Sequence, residues 1–254
     1  MTAALRWLAR GEHELPADLD WLAPGERARA AGMRFTKRRT EYLLRRWVGK
    51  QAVAAALVSA DSPDLATLRR IEVANRASGA PYVLVDGQPI GLDVSLTDRA
   101  GWAVCVVGQD LTRVGCDLEV VEPRTDGFIR DYLTDAERTY VDARPTVAAR
   151  HEAANLMWSA KESALKVLRT GLRRDTRSVE VVVSSPPGVD GWAELQVAPE
   201  EGGRFPGWWR RDGVFVLTVV ADAAFPHPVE LAGSASLDEA VPVHSWVERP
   251  VAGE

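Results

Sequence analysis

Gly115-Cys116-Asp117-Leu118-Glu119 lies inside an apolar run from Thr112 to Val121 that reads as a β-strand. In a strand, residues i and i+2 point to the same face. Asp117 and Glu119 therefore project together, while Cys116, Leu118 and Val120 face a core. Two carboxylates about 7 Å apart along a strand repel unless a cation lies between them. Mg²⁺ suits the pair, because it takes one or two carboxylates plus substrate phosphates and keeps several waters. An exposed strand edge of alternating polarity gives the same letters.

Downstream, Trp158-Ser159-Ala160-Lys161-Glu162-Ser163-Ala164-Leu165-Lys166 sits in a strong helical pattern over 148–169. Trp158, Glu162 and Lys166 fall at i, i+4 and i+8 and form one stripe, with Lys161 at its flank. Ala153, Met157, Ala160, Ala164 and Leu168 form an apolar stripe on another side. A helix-surface ion pair explains Glu162 and Lys166, but not the large aromatic that heads the polar stripe.

Working outward, 24–58 reads as helical, with Pro24 at its start and an apolar repeat through Tyr42, Leu43, Trp47, Ala54 and Leu57. Asp61-Ser62-Pro63 breaks it. Short strands follow at Ile71–Val73 and Tyr82–Val85, around a turn from Asn75 to Pro81. Leu92–Leu96 and Trp102–Val107 read as strands joined by a loop over Thr97–Gly101, and Gly108-Gln109-Asp110 turns the chain into the carboxylate strand. The second half repeats the order. Short helices over 125–144 and the 148–169 helix precede strands at Ser178–Val183, Trp192–Val197 and Val214–Val220, with a turn at Ser184–Gly188. Helix then strands, twice, predicts an α+β fold of two similar lobes. The expected division is 1–121, 122–223 and an irregular surface tail over 224–254.

The chain has 254 residues, 46% of them hydrophobic and 26% charged, so it can bury a core. Its formal charge of −5 argues against nucleic-acid binding through a basic surface. Lys37-Arg38-Arg39, Arg45-Arg46 and Arg173-Arg174 are local basic clusters. Such clusters point to a discrete anionic ligand or an acidic partner, or else to solvated helix faces. Cys105 and Cys116 read as buried small hydrophobes, with no disulfide framework and no zinc spacing. His13, His151, His227 and His244 stand in no ligand spacing, and no Gly-rich P-loop occurs. With neither a signal peptide nor a membrane span in the pattern, the expectation is a cytoplasmic enzyme.

Gly-x-Asp-x-Glu followed by Trp-x-x-Lys-Glu-x-x-x-Lys resembles the 4′-phosphopantetheinyl transferases, in particular the larger pseudo-dimeric type found with polyketide and peptide synthetases. Arg34-Phe35 and the helix through Leu43, Leu44 and Lys50 look like the N-terminal basic helix of that family. Ser78-Gly79-Ala80-Pro81-Tyr82 looks like its Gly-Lys-Pro turn, and Val94-Ser95-Leu96 like the strand entering its Ser-His nucleotide loop. The likeness runs over residues 25–222. It implies two α/β lobes related by a pseudo-twofold, with the active site in the cleft between them.

It further implies transfer of the phosphopantetheine arm of coenzyme A to a serine of an acyl or peptidyl carrier protein by a monomer. Asp117, Glu119 and Glu162 would hold Mg²⁺, and Lys161 and Lys166 would contact the pyrophosphate. Asp117, Glu162 and Lys166 would be the catalytic groups, Glu162 as the base. The chain departs from the pattern where Ser95-Leu96-Thr97-Asp98-Arg99 carries no histidine and where Ala80 replaces the lysine. Either Arg99, Arg45, Lys50 or Lys37-Arg38-Arg39 supplies the missing nucleotide contacts beside Ser95, or the scaffold serves another purpose. That alternative is a non-catalytic binder of coenzyme A or of a carrier, or an enzyme acting on a carrier-tethered intermediate.

Overall fold

The computed structural model describes residues 4–58, 63–108, 112–185 and 187–243. Asp61-Ser62, Gln109-Asp110, Pro186 and the chain from His244 on, all named above, lie outside the described residues. In chain order the elements are β1 (Arg6–Gly11), α1 (Pro24–Ala31), α2 (Thr36–Val58), α3 (Leu65–Arg70), β2 (Ile71–Asn75), β3 (Pro81–Val85), β4 (Gln88–Pro89), β5 (Asp93–Arg99) and β6 (Trp102–Gly108). Then follow β7 (Val114–Val120), α4 (Asp126–Tyr132), α5 (Asp135–Asp142), α6 (Val147–Val167), β8 (Val179–Val183), β9 (Trp192–Pro199), β10 (Phe205–Asp212), β11 (Phe215–Ala221) and β12 (Val229–Glu230). The fold is α+β, as the sequence predicts. No helix of the described residues is long and apolar enough to cross a membrane.

One sheet has the order β12-β1-β6-β5, a second β7-β11-β10-β9-β8, and a small third β2-β3-β4. The two large sheets pack face to face. Trp7, Ala9, Val104 and Val106 of one meet Cys116, Leu118, Leu217 and Val219 of the other. Alternate residues point outward, as strand geometry requires. Leu8, Ala103, Cys105 and Val107 take α2 through Leu44, Val48 and Ala52. Val216, Val220, Leu195 and Val197 take α6 through Leu156, Met157 and Ala160. The molecule is thus layered helix, sheet, sheet, helix. In each half the first strand pairs antiparallel with the last, β1 with β6 and β7 with β11.

Four expectations change. The helix read over 24–58 is two helices, broken between Ala31 and Thr36 around Gly32. β7, placed by the sequence at the close of the first lobe, pairs with β11 and lies in the second sheet. The loop expected over Thr97–Gly101 is mostly strand. β5 runs to Arg99, and only Ala100 and Gly101 turn, both with positive φ (50° and 80°), the geometry of a tight hairpin.

The stretch from residue 224 is no loose tail as far as Val243. Phe225, Leu231, Leu237 and Ala240 are buried. Val229 N donates to Leu5 O, Leu231 N to Trp7 O and Ala235 N to Ala9 O, which seals the edge of β1. The sequence reading also passed over β1 and the interior strand β10, where polar and Gly-rich letters blur the period of two.

Candidate functional site

The two sheets meet at a seam where β5 runs beside β7. The seam is not a backbone ladder. Asp93, Ser95 and Thr97 share one face of β5, and their side chains accept the backbone N–H groups of β7. Asp93 Oδ2 takes Val114 N at 3.0 Å, Ser95 Oγ takes Cys116 N at 2.9 Å, and Thr97 Oγ1 takes Leu118 N at 3.1 Å. Buried amides need partners, and here alternate side chains supply them. Gly115 lies under α6. A Cβ there would stand 1.9 Å from Ser163 O, so only glycine permits the approach. That contact brings α6, with Glu162 and Lys166, down onto the carboxylates of β7.

Asp117 and Glu119 are both buried. Lys166 Nζ donates to Asp117 Oδ1 at 2.9 Å and to Cys116 O at 2.7 Å. Thr97 Oγ1 donates to the same Asp117 oxygen at 3.1 Å. Burial pushes the Lys166 ammonium down, but the Asp117 carboxylate and its hydrogen bond outweigh it, and the group is held above its ordinary value. Glu162 behaves oppositely. Burial, then the neighbouring Asp117 and Glu119 charges, push its carboxyl up to about 7, against a partial pull from Lys166. Asp117 Oδ2 and Glu162 Oε1 are buried with no hydrogen-bond partner.

Two orphaned carboxylate oxygens beside mutually repelling acids are what a hard divalent cation would satisfy. The residues present therefore fit Mg²⁺ at Asp117 and Glu162. The third expected ligand is otherwise engaged. Glu119 Oε1 accepts from Trp158 Nε1 at 2.9 Å, and Oε2 lies 3.0 Å from Arg124 and 3.3 Å from Arg99. No three His, Cys, Asp or Glu side chains among the described residues close into a metal cage. Trp158, the aromatic that the ion-pair reading left unexplained, acts here as a donor to Glu119. Its ring packs edge-on against Phe128 and Tyr132, with centroids 5.1 Å from each.

A cleft of about 770 Å³ opens from Asp117 and Lys166 along β5. Its walls carry Arg29, Arg45, Arg46, Arg76, Arg169 and Arg173. Arg45 is paired with Asp98, Arg169 with Asp93, and Arg46 with Asn75 and Glu26. Arg29, Arg76 and Arg173 form no close ion pair among the described residues, although the Arg76 charge acts on Asp93. Arg76 lies over the Tyr82 ring, and Arg173 donates to Ser78 O.

Of the residues expected to bind the ligand, Lys166, Arg45 and Ser95 line this cleft. Arg99 turns away to Glu119 and Glu122. Lys50 and Lys161, also expected at the ligand, do not line the cleft, since both are wholly buried. Lys50 Nζ lies 2.5 Å from Glu26, and Lys161 Nζ lies 2.8 Å from Glu137 while donating to Thr176 O and Val179 O. Lys161 thus spends its three donors on protein acceptors, and Lys50, shut off from solvent, faces Glu26 instead of the cleft. Asp98, the acid in the histidine position, neutralises Arg45. Sequence reasoning missed Arg29, Arg76, Arg169 and the bridging role of Thr97. The doublets Arg45-Arg46 and Arg173-Arg174 were the legible signal, although Arg174 instead pairs with Glu201.

An acid–lysine pair at one end of an arginine-walled cleft is the arrangement of a site for a polyanionic, phosphorylated ligand. Residues 113–190, which span β7 and α6, match the family model of the 4′-phosphopantetheinyl transferase superfamily. The match ties this stretch to phosphopantetheine transfer in general and agrees with the resemblance drawn from the two motifs. No curated protein matches the chain.

Proposed function

We propose that the protein transfers the 4′-phosphopantetheine arm of coenzyme A to a serine of an acyl or peptidyl carrier protein. The observation that carries this reading is the pairing of Asp117 with Lys166 at the foot of the arginine-walled cleft, with Glu162 beside them and coupled to both charges, within the stretch that matches the family. The serine oxygen forms a bond to the phosphorus next to the arm as the bond to the departing 3′,5′-ADP oxygen breaks. Glu162 takes the serine proton as that bond forms. Lys166 is kept protonated by Asp117 and stands ready for the leaving diphosphate. When bound, Mg²⁺ at Asp117 and Glu162, with Glu119 behind them, would neutralise charge on the phosphoryl oxygens. Arg29, Arg76 and Arg173 hold the phosphates farther along the cleft, in place of the missing histidine and lysine. On this reading the chain works as a cytoplasmic monomer of two lobes.

Incubation with coenzyme A, Mg²⁺ and several apo carrier proteins tests it, with the mass gain of the arm as the readout. Failure on every carrier sinks the proposal. A second reading, a binder that does not transfer, draws on one observation. Asp98 neutralises a cleft arginine, and Arg99 and Arg124 occupy Glu119. Calorimetry showing coenzyme A or carrier binding without turnover would favour it; Mg²⁺-dependent turnover excludes it.

A further inference from the structure

The two halves share a buried device. In the first, Glu26 of α1 accepts Ala23 N and Val73 N and pairs with Lys50 of α2. In the second, Glu137 of α5 accepts Thr134 N and Val181 N and pairs with Lys161 of α6. Glu and Lys are 24 residues apart in both halves. Aligned on these lysines, Trp47-Val48-Gly49-Lys50-Gln51 lies on Trp158-Ser159-Ala160-Lys161-Glu162. Gln51 then stands where Glu162 stands, and Ala55 where Lys166 stands.

The strands agree. β1 holds in its half the place that β7 holds in the other, paired with the last strand of its half. Leu8 and Arg10 face α2 as Asp117 and Glu119 face α6. Arg10 Nε and Nη2 both donate to Gln51 Oε1, at 2.8 and 2.6 Å, and Nη1 donates to Ala9 O and Gly233 O at 3.1 and 2.5 Å. Where the edge of β7 meets the cleft, the edge of β1 is covered by β12 and the segment after it.

We propose that the amino-terminal half contains a closed counterpart of the carboxylate site. The Arg10 guanidinium is its built-in cation, and the segment from Phe225 to Val243 closes the groove. The inference rests on reading Asp117 and Glu162 as a site for a divalent cation. It explains why one half keeps the tryptophan and lysine of the motif and lacks its acid. The oxygens around Arg10, from Gln51, Ala9, Gly233 and, at 3.5 Å, the Glu14 carboxylate, are hard ligands. Glutamates at 10 and 51 would therefore make the place fit for a divalent ion.

The test is the full chain with Arg10→Glu and Gln51→Glu, refolded with and without Mn²⁺, in both the native background and an Asp117→Asn/Glu162→Gln background. Expected is one more bound Mn²⁺ per chain than the parent in each background, with a Tm that rises with Mn²⁺ where the parent of the second background shows no rise. If the variant folds only when Mn²⁺ is present, and not with added NaCl, the proposal is likewise supported. A folded variant with the Mn²⁺ count of its parent overturns it, and so does a variant that Mn²⁺ cannot fold. A native chain that binds no Mn²⁺ counts against the reading of Asp117 and Glu162 alone, because the gain is read against each parent.

Discussion

Glu162 carries the clearest consequence at the scale of a single residue. Its folded carboxyl, at about 7, lies above the ordinary value of 4.5. The folded protein therefore holds the proton more tightly than the unfolded chain. The associated stability is complete below the ordinary value and is lost as pH rises through about 7. Metal-free Glu162→Gln should thus gain on the order of 1–2 kcal/mol over the parent at pH 8, and little at pH 4.5, in urea unfolding. The same variant should lose transfer. Cation binding to the parent should weaken about tenfold per unit below pH 7, because the ion must displace that proton. Lys161 gives the opposite lesson. Lys161→Met leaves Glu137 buried without its partner and should cost about 3–5 kcal/mol in chemical denaturation, as should Lys50→Met through Glu26. The letters alone could not separate the two motif lysines. Both lie on α6, and only the packing of α5 and β8 shows that Lys161 points into the core while Lys166 reaches the acid.

Among elements, β5 is the one whose polar face has a role that the letters conceal. Asp93, Ser95 and Thr97 look like the polar approach to a loop because alternation with polar residues ordinarily means solvent. Here the polar face of the strand is turned to another strand and satisfies its amides. Ser95→Ala and Thr97→Val each remove an acceptor from a buried N–H, at a cost of about 1–3 kcal/mol. Hydrogen exchange at Cys116 N in the first variant and Leu118 N in the second should speed up, while amides of β9 and β10 stay protected. Unchanged exchange at both would show that the seam does not depend on these side chains. α6 and β7 were legible in full, since a helix period and a strand period both survive in their letters. β10 was not. Trp208-Trp209 lies between glycine and arginine neighbours, and its interior place comes from pairing with β9 and β11, which are distant in sequence.

For the whole molecule, the repeated order of helix and strands was visible in the sequence, but the closure of the fold was not. Composition made residues after 223 look like surface, yet Phe225, Leu231 and Leu237 are buried, and Trp102 Nε1 donates to Val241 O at 2.9 Å. Burying three such side chains contributes about 1.5–3 kcal/mol each, a sum comparable to the net stability of a domain. A chain ending at residue 223 should therefore unfold at far lower urea than the full chain, or fail to accumulate in folded form. Equal midpoints would refute the structural role given to this segment. The side-chain seam bears also on self-association. β7 is the edge strand of its sheet, and an edge with free amides invites strand addition by a second chain. Asp93, Ser95 and Thr97 occupy those amides, and β12 does the same for β1. These two borders, which would otherwise template intermolecular β-pairing, are thus saturated from within. Loss of either cover should show first as cross-β aggregation of otherwise native-like molecules.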